Sequence, residues 1–352
     1  MTSNSTSGAH SSASHALPVG GLVTIGHAIV DVLGQVDDPY LDHHGLVKGS
    51  MELIDAGRAV PLYASMAEAQ ARRDDILLQI SGGSAANTAV VAAMLGAPTA
   101  FLGKVRDDEL GHVFAHDLAE VGVSFPTVMA DINTTPTGRC LIHVTPDAER
   151  TMCTYLGAAR GLRVPDMRAD VLAAAKVTYV EGYLWDEINA HEALELAIQT
   201  VRNASQRFSF TLSDSFLVDR FRDQFHVMIP EKVDILFANE HELCSMFETD
   251  DFDRAVKLVS PMCEITTVTR GPKGSIVIHR GEVIAVDAHP VERVVDTTGA
   301  GDAYAGGFLA GFTSGATLER CADLGNLAAA EVISRLGARP SEDLLQHSMV
   351  DR

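Results

Sequence analysis

Short apolar runs of strand length recur along this chain with stretches of helical length between them. That alternation constrains the fold more than any other feature. The runs are GLVTIG (21–26), ILLQI (76–80), KVTYVEG (176–182), RFSFTL (207–212), VDILFAN (233–239) and EITTVTRG (264–271). They read as buried strands, and residues 84–95, 190–203 and 241–258 read as helices, the first stopped by Gly96. Strands alternating with helices predict an α/β fold with a mostly parallel sheet covered on both faces. Two segments break the rhythm. Residues 28–55 carry AIVDVLGQVDD, a polar stretch and SMELID, and residues 136–156 carry two extended runs around TPDAER, a predicted hairpin. The two insertions are expected to pair into a small β-sheet projecting from the main domain. There is no internal repeat, and 352 residues suit one large α/β domain or two smaller ones.

Charge narrows the partners. With 27 basic and 47 acidic residues the formal net charge is −20. Nucleic acid is excluded, since it requires a basic face. An anionic ligand would need local help from backbone amides, a metal or a few placed cations. The five cysteines, Cys140, Cys153, Cys244, Cys263 and Cys321, form no C-x-x-C pair. They read as idle thiols of a reducing, cytoplasmic compartment. Residues 1–18, rich in Ser, Thr, Ala and His, read as a disordered tail with neither the charged start nor the apolar core of a signal peptide. The longest uncharged run, 80–103, is broken by glycines and Pro98, so no membrane span is expected.

Residues 296–308, DTTGAGDAYAGGF, follow a predicted strand, VERVV (291–295), and precede a predicted helix from about Ala300. A helix start offers unpaired N–H groups and the positive end of its dipole, so Gly299, Ala300 and Gly301 form a cup suited to negative charge. Familiar phosphate loops do not fit. Asp302 stands where a Walker loop needs lysine, and Tyr304 where a dinucleotide fingerprint needs its third glycine. A carboxylate at a phosphate site is repulsive. Asp302 therefore either serves the helix dipole alone or accepts the proton of a hydroxyl about to attack phosphorus.

DTTGAGDAYAGGF closely resembles the C-terminal signature of the ribokinase-like, or PfkB-type, carbohydrate and nucleoside kinases. SGGSAANTAVVAAMLG (81–96) is similar to their N-terminal signature, NEHE (239–242) to their Asn-x-x-Glu element, and TRGPKGS (269–275) to their nucleotide loop. The motifs stand in the family's order, and the likeness spans 26–335. It implies a Rossmann-like α/β kinase domain (19–31, 56–130 and 157–345) with a β-lid (32–55 and 131–156), ATP and Mg²⁺ as cofactors, and a monomer or homodimer. It also implies Asp302 as general base and the 299–301 amides as anion hole.

Each further residue carries two readings. Gly82, Gly83 and Ser84 make a capped turn or a bare backbone for the substrate, with Asn87 one turn on. Asp31 is a surface carboxylate or, by the resemblance, the holder of two ribose hydroxyls. His27 stands where nucleoside-phosphorylating members often carry Asn. Asn239 and Glu242 either start a helix or organise Mg²⁺ through water, with Glu240 an equal candidate by residue type. Arg150 is a solvated loop arginine or swings over the phosphates. Thr269, Gly271, Gly274 and Thr298 line the nucleotide or merely turn the chain. Asn326 reaches the adenine or sits on a helix surface. His112 and His116, at i and i+4, lack a patterned third ligand and read as an exposed helix face.

The 136–159 segment, EGYLWD (181–186), TLSDSF (211–216) and the long 32–75 insertion resemble the members that phosphorylate adenosine. The expected acceptor is thus the adenosine 5′-hydroxyl, with a free sugar or another nucleoside as the close alternative. A non-catalytic nucleoside binder is the alternative from another class.

Overall fold

The computed structural model describes residues 17–147 and 149–340. Nearly all of the predicted tail, residues 1–16, lies outside them, as do residues 341–345 of the expected kinase domain. Fourteen strands follow in chain order: β1 (Leu22–Ile25), β2 (Ile29–Gln35), β3 (Met51–Leu53), β4 (Leu78–Gly82), β5 (Thr99–Leu102), β6 (Val123–Ser124), β7 (Gly138–Val144), β8 (Arg150–Tyr155), β9 (Val177–Glu181), β10 (Arg207–Thr211), β11 (Ile235–Asn239), β12 (Ile265–Thr269), β13 (Ser275–His279) and β14 (Glu282–Val286). Nine form one sheet, ordered β14-β13-β12-β11-β10-β9-β1-β5-β6. It is parallel from β6 to β12 and antiparallel only at the β12–β13–β14 edge. Fully buried runs such as Leu22–Ile25 and Val177–Glu181 are what helices on both faces require. The predicted α/β fold is the fold found.

The other five strands form a smaller sheet, ordered β3-β8-β7-β2-β4. The predicted hairpin is β7 and β8, antiparallel with Leu141 opposite Cys153. Val30, Val32 and Gly34 of β2 are buried on one face of this sheet, and Met66 of the Ala56–Ala71 helix lies beside Gly34. Asp31, Leu33 and Gln35 point the other way. The two sheets join abruptly. Only Gly26, His27 and Ala28 separate β1 of the large sheet from β2 of the small one, and only Gly83 separates β4 from the Ser84–Met94 helix. Gly83 has φ +101°, and a Cβ there would lie 2.2 Å from the His27 carbonyl oxygen. At Gly83 the two crossing points thus pack backbone on backbone, which admits only glycine.

Four sequence expectations change. ILLQI pairs antiparallel with β2 in the smaller sheet as β4, with Leu78 half exposed. VERVV forms no strand, because no neighbouring strand lies beside it. Val294 and Val295 are exposed, and Val295 and Asp296 donate their N–H groups only to the Ile333 carbonyl. Residues 241–258 form two helices, Glu240–Met246 and Phe252–Val259, parted where Glu248 turns left-handed (φ +47°) and Asp251 caps the second by accepting from the Arg254 N–H. Arg150 is not on the hairpin turn but opens β8, with its side chain nearly buried.

All five cysteines are free. No helix among the described residues is long and apolar enough to cross a membrane.

Candidate active site

A cleft of about 1040 Å³ lies between the two sheets. A small-molecule pocket runs to roughly 300–1,000 Å³, so this one stands at the upper end of that range. Its floor is the start of the Ala300–Ser314 helix. Gly299 precedes that helix in a left-handed conformation (φ +77°), and a Cβ on it would lie 2.7 Å from Ala338. Gly301 differs. Its φ is ordinary, and a Cβ there would meet nothing within 4 Å. Neither backbone strain nor packing asks for glycine at 301, and its absence of a side chain leaves bare backbone at the cleft. The Ala300 N–H already donates to the Thr297 carbonyl at 3.2 Å, so within the expected cup it is the amide least free to turn outward.

Asp302 stands in the first turn of this helix and lines the cleft. Its carboxylate is gripped from the other crossing point. Ser84 Oγ donates to Oδ1 at 2.6 Å, and Asn87 Nδ2 donates to Oδ2 at 3.1 Å. Removal from water pushes the carboxyl up to about 7, with Glu181 and Asp31 adding to the rise while the Ser84 and Asn87 hydrogen bonds hold it back. Asp31, opposite on β2, is pushed up to about 6 by burial against the pull of Arg339 and Arg150.

The sequence-selected residues converge. His27, Asp31, Gly83, Ser84, Asn87 and Arg150 line the cleft on the side of the crossing points and smaller sheet, and Gly82 packs against the Asp31 carboxylate. Asn239, Glu242, Thr269, Thr298 and Gly299–Asp302 line the side of the large sheet. Asn239 and Glu242 form a reciprocal cap: Asn239 Oδ1 accepts from the Glu242 N–H at 2.8 Å, and Glu242 Oε2 accepts from the Asn239 N–H at 2.9 Å. Burial pushes the Glu242 carboxyl up to about 7. Geometry separates it from Glu240, which is held by Arg270 at 3.0 Å and Lys273 at 3.6 Å.

Besides Gly82, three selected residues do not line the cleft. Gly271 and Gly274 take positive φ in the turn between β12 and β13. Asn326 Nδ2 donates to the carbonyls of Val286 and Asp287, tying the chain after β14 to the last helix. His112 and His116 are exposed beside Asp107 and Glu120, and no cluster of three metal-ligating side chains occurs among the described residues.

Sequence reasoning missed four residues. Glu181, at the end of β9, accepts from the N–H groups of His27 (2.8 Å) and Ala85 (2.9 Å) and so joins both crossing points. Its buried carboxylate also lies 3.0 Å from His27 Nδ1. Asp296 accepts from the N–H groups of Thr298 and Gly337, both at 3.0 Å, and pairs with Arg150 at 2.7 Å. It pins the glycine loop, the C-terminal segment and the smaller sheet together. Tyr183 lines the cleft near Asp214 and Asp302. Arg339 reaches Asn87 and Ser81. Asp296 lay within the quoted glycine loop and Glu181 and Tyr183 within the quoted EGYLWD, where they were not singled out; Arg339 lay in no quoted stretch.

This cleft between a parallel α/β sheet and a smaller sheet, floored by a bare helix start beside a carboxyl that burial raises, is that of a small-molecule kinase. Over residues 51–344 the chain matches the family described as pfkB family carbohydrate kinase, and it belongs to that family. It is similar to the crystal structure of adenosine kinase from Sinorhizobium meliloti, with 46% identity, 93% of this chain and 98% of that one covered, and a TM-score of 0.83. A probable sugar kinase protein from Rhizobium etli CFN 42 is 42% identical, with 95% and 98% covered and a TM-score of 0.84. The adenosine kinase of Saccharomyces cerevisiae is 30% identical over 347 residues, 92% of this chain and 98% of its own.

Proposed function

We propose that this kinase moves the γ-phosphoryl group of ATP to the 5′-hydroxyl of adenosine, giving AMP. The observation that carries the reading is the Asp302 carboxyl. It sits at the bare start of a helix, is held by Ser84 and Asn87, and is raised to about 7 in a cleft with room for donor and acceptor together. A base poised near working pH is suited to taking a proton in the transition state.

On the acceptor side Asp31, an acceptor-only group when ionised, holds vicinal ribose hydroxyls, with Gly82, Gly83, Ser84 and Asn87 beneath the sugar and His27 beside it. The base lies against the apolar face of the smaller sheet, where Leu33, Leu78, Ile142 and Met152 face the cleft. That sheet acts as the lid, excluding water and so limiting hydrolysis of ATP. Asp302 takes the 5′-hydroxyl proton as that oxygen attacks phosphorus, and the 299–301 backbone with the helix dipole meets the developing charge. Thr269, Thr298 and Asn239 face the nucleotide directly, and Gly271, Gly274 and Asn326 shape its side at one remove. Arg150, bound to Asp296, stands at the lid's edge of the phosphate site. Glu242 and Asn239 fit Mg²⁺ held through water, since one cleft-lining carboxylate with no three-ligand cage beside it suits an ion that keeps its waters. When bound, the ion neutralises phosphate charge.

The test is initial rates with adenosine, inosine, ribose and fructose at equal concentration with ATP. Adenosine should give the highest kcat/KM. The relative described as a probable sugar kinase supports a second reading, transfer to a free sugar. A higher kcat/KM for ribose or fructose would establish that reading in place of the first.

A further inference from the structure

We propose that Arg339 is a positioning residue for phosphoryl transfer, fixing the Asn87 carboxamide so that its NH₂ group, not its oxygen, faces Asp302. The inference rests on the reading of Asp302 as base. Arg339 Nε donates to Asn87 Oδ1 at 3.2 Å, and Arg339 Nη1 donates to Ser81 Oγ at 2.8 Å. On the far side of the same carboxamide, Asn87 Nδ2 donates to Asp302 Oδ2 at 3.1 Å. A carboxamide has two ends, and rotating it by half a turn would set its oxygen against a carboxylate. The guanidinium, a donor only, forbids that turn because its N–H would then face an NH₂ group. The planar fork also holds two partners at fixed angles, which a lysine cannot do.

Asn87 is thus clamped between a cation on one side and the base on the other. Arg339 reaches this place because Gly337 donates its N–H to Asp296 and Ala338 packs on Gly299. The segment that seals the back of the glycine loop therefore also delivers the clamp.

The charge has a second effect. Groups facing Asp302 are Ser84 and Asn87 on one helix, Asp31 on β2, Tyr179 and Glu181 on β9, and Tyr183 just beyond it. Arg339 is the cation among them: Asp31, Asp117 and Asp302 all favour its charged form, against a burial that lowers it to about 10. Removing it leaves Asp302 among carboxylates and hydroxyls, and its carboxyl rises further.

The experiment is a double-mutant cycle on the full chain, with Mg-ATP and adenosine or whichever panel acceptor turns over fastest. Arg339→Met should lower kcat roughly 10–100-fold, as misplaced catalytic groups do. It should move the acid limb of the kcat–pH profile to higher pH while KM for ATP changes little. Arg339→Lys should keep the limb near its place but not restore kcat. Once Asn87→Ala is present, Arg339→Met should cost almost nothing more in the kcat read on the plateau above the acid limb, because both changes break one chain of contacts. Fully multiplicative losses, or an unmoved acid limb in Arg339→Met, would overturn the inference. Should the Met variant not fold, the Lys variant crossed with Asn87→Ala decides by the same rule. Failure of the underlying reading looks different: Asp302→Asn would then retain turnover whatever the cycle shows.

Discussion

Replacing Asp302 by Asn should slow the enzyme and stabilise the protein together. The substituted carboxamide fits without an orphaned group. Its oxygen can accept from Asn87 Nδ2, and its NH₂ can donate to Ser84 Oγ, since a hydroxyl accepts as readily as it donates. What is lost is the proton acceptor, which should cost ~10²–10⁴ in kcat. What is gained follows from the carboxyl's position. It titrates near 3.8 in an open chain and about 7 in the fold. Between those values the native state binds a proton that the unfolded state has released. Wild-type stability therefore falls as pH rises from about 4 to 7 and stays reduced above it. A shift of roughly three units corresponds to at most ~4 kcal/mol, and partial access of Asp302 to solvent reduces this to on the order of 2 kcal/mol. The variant should thus be more stable than wild type at pH 8, by a margin that vanishes near pH 4. Urea unfolding at pH 4.5, 6 and 8 reads the stability, and a coupled ATPase-linked assay reads kcat over pH 5.5–8.5. Wild-type kcat should lose about tenfold per unit on the acid side of 7. Undiminished turnover in the variant would refute the base. A stability gain that does not depend on pH would refute the origin assigned to the raised carboxyl. Because Asp31 and Glu242 titrate in the same region, the acid limb should be compared in Asp31→Asn and Glu242→Gln before it is assigned.

Other outcomes follow from the same geometry. Arg150→Ala removes one half of a nearly buried ion pair and leaves Asp296 with Thr298 and the Gly337 N–H but no cation, so stability should drop by about 3 kcal/mol in urea unfolding; a loss below about 1 kcal/mol would mean that water replaces the guanidinium. Gly299→Ala adds a Cβ 2.7 Å from Ala338 at a φ of +77°, so it should cost roughly 1–3 kcal/mol and lower kcat by displacing the helix start. Wild-type values for that variant would show that the loop relaxes freely. Glu242→Gln should raise the Mg²⁺ concentration needed for half-maximal rate while leaving KM for the acceptor unchanged, as titration of Mg²⁺ at fixed ATP would show. An unchanged Mg²⁺ dependence would place the ion elsewhere.

Local physics made much of this protein legible from its residues. Strand length, apolar continuity and glycine stops depend on neighbours a few positions away, so the α/β alternation, the hairpin and the helix beginning at Ala300 are visible without coordinates. The same holds for Asn239 and Glu242, whose reciprocal cap spans three residues. VERVV failed as a strand for the complementary reason. A strand exists only where another lies beside it, and nothing local says that none does.

What only the tertiary structure decided are contacts between residues far apart in the chain. Ser84 and Asn87 meet Asp302 across 218 and 215 positions, and Arg339 meets Asn87 and Ser81 across 252 and 258. Glu181 joins the two crossing points from a third strand. No periodicity marks such residues. Arg339 in particular reads as an ordinary charged residue past the last helix, because the cost of burying a guanidinium, and the partners that offset it, exist only once the chain has closed on itself.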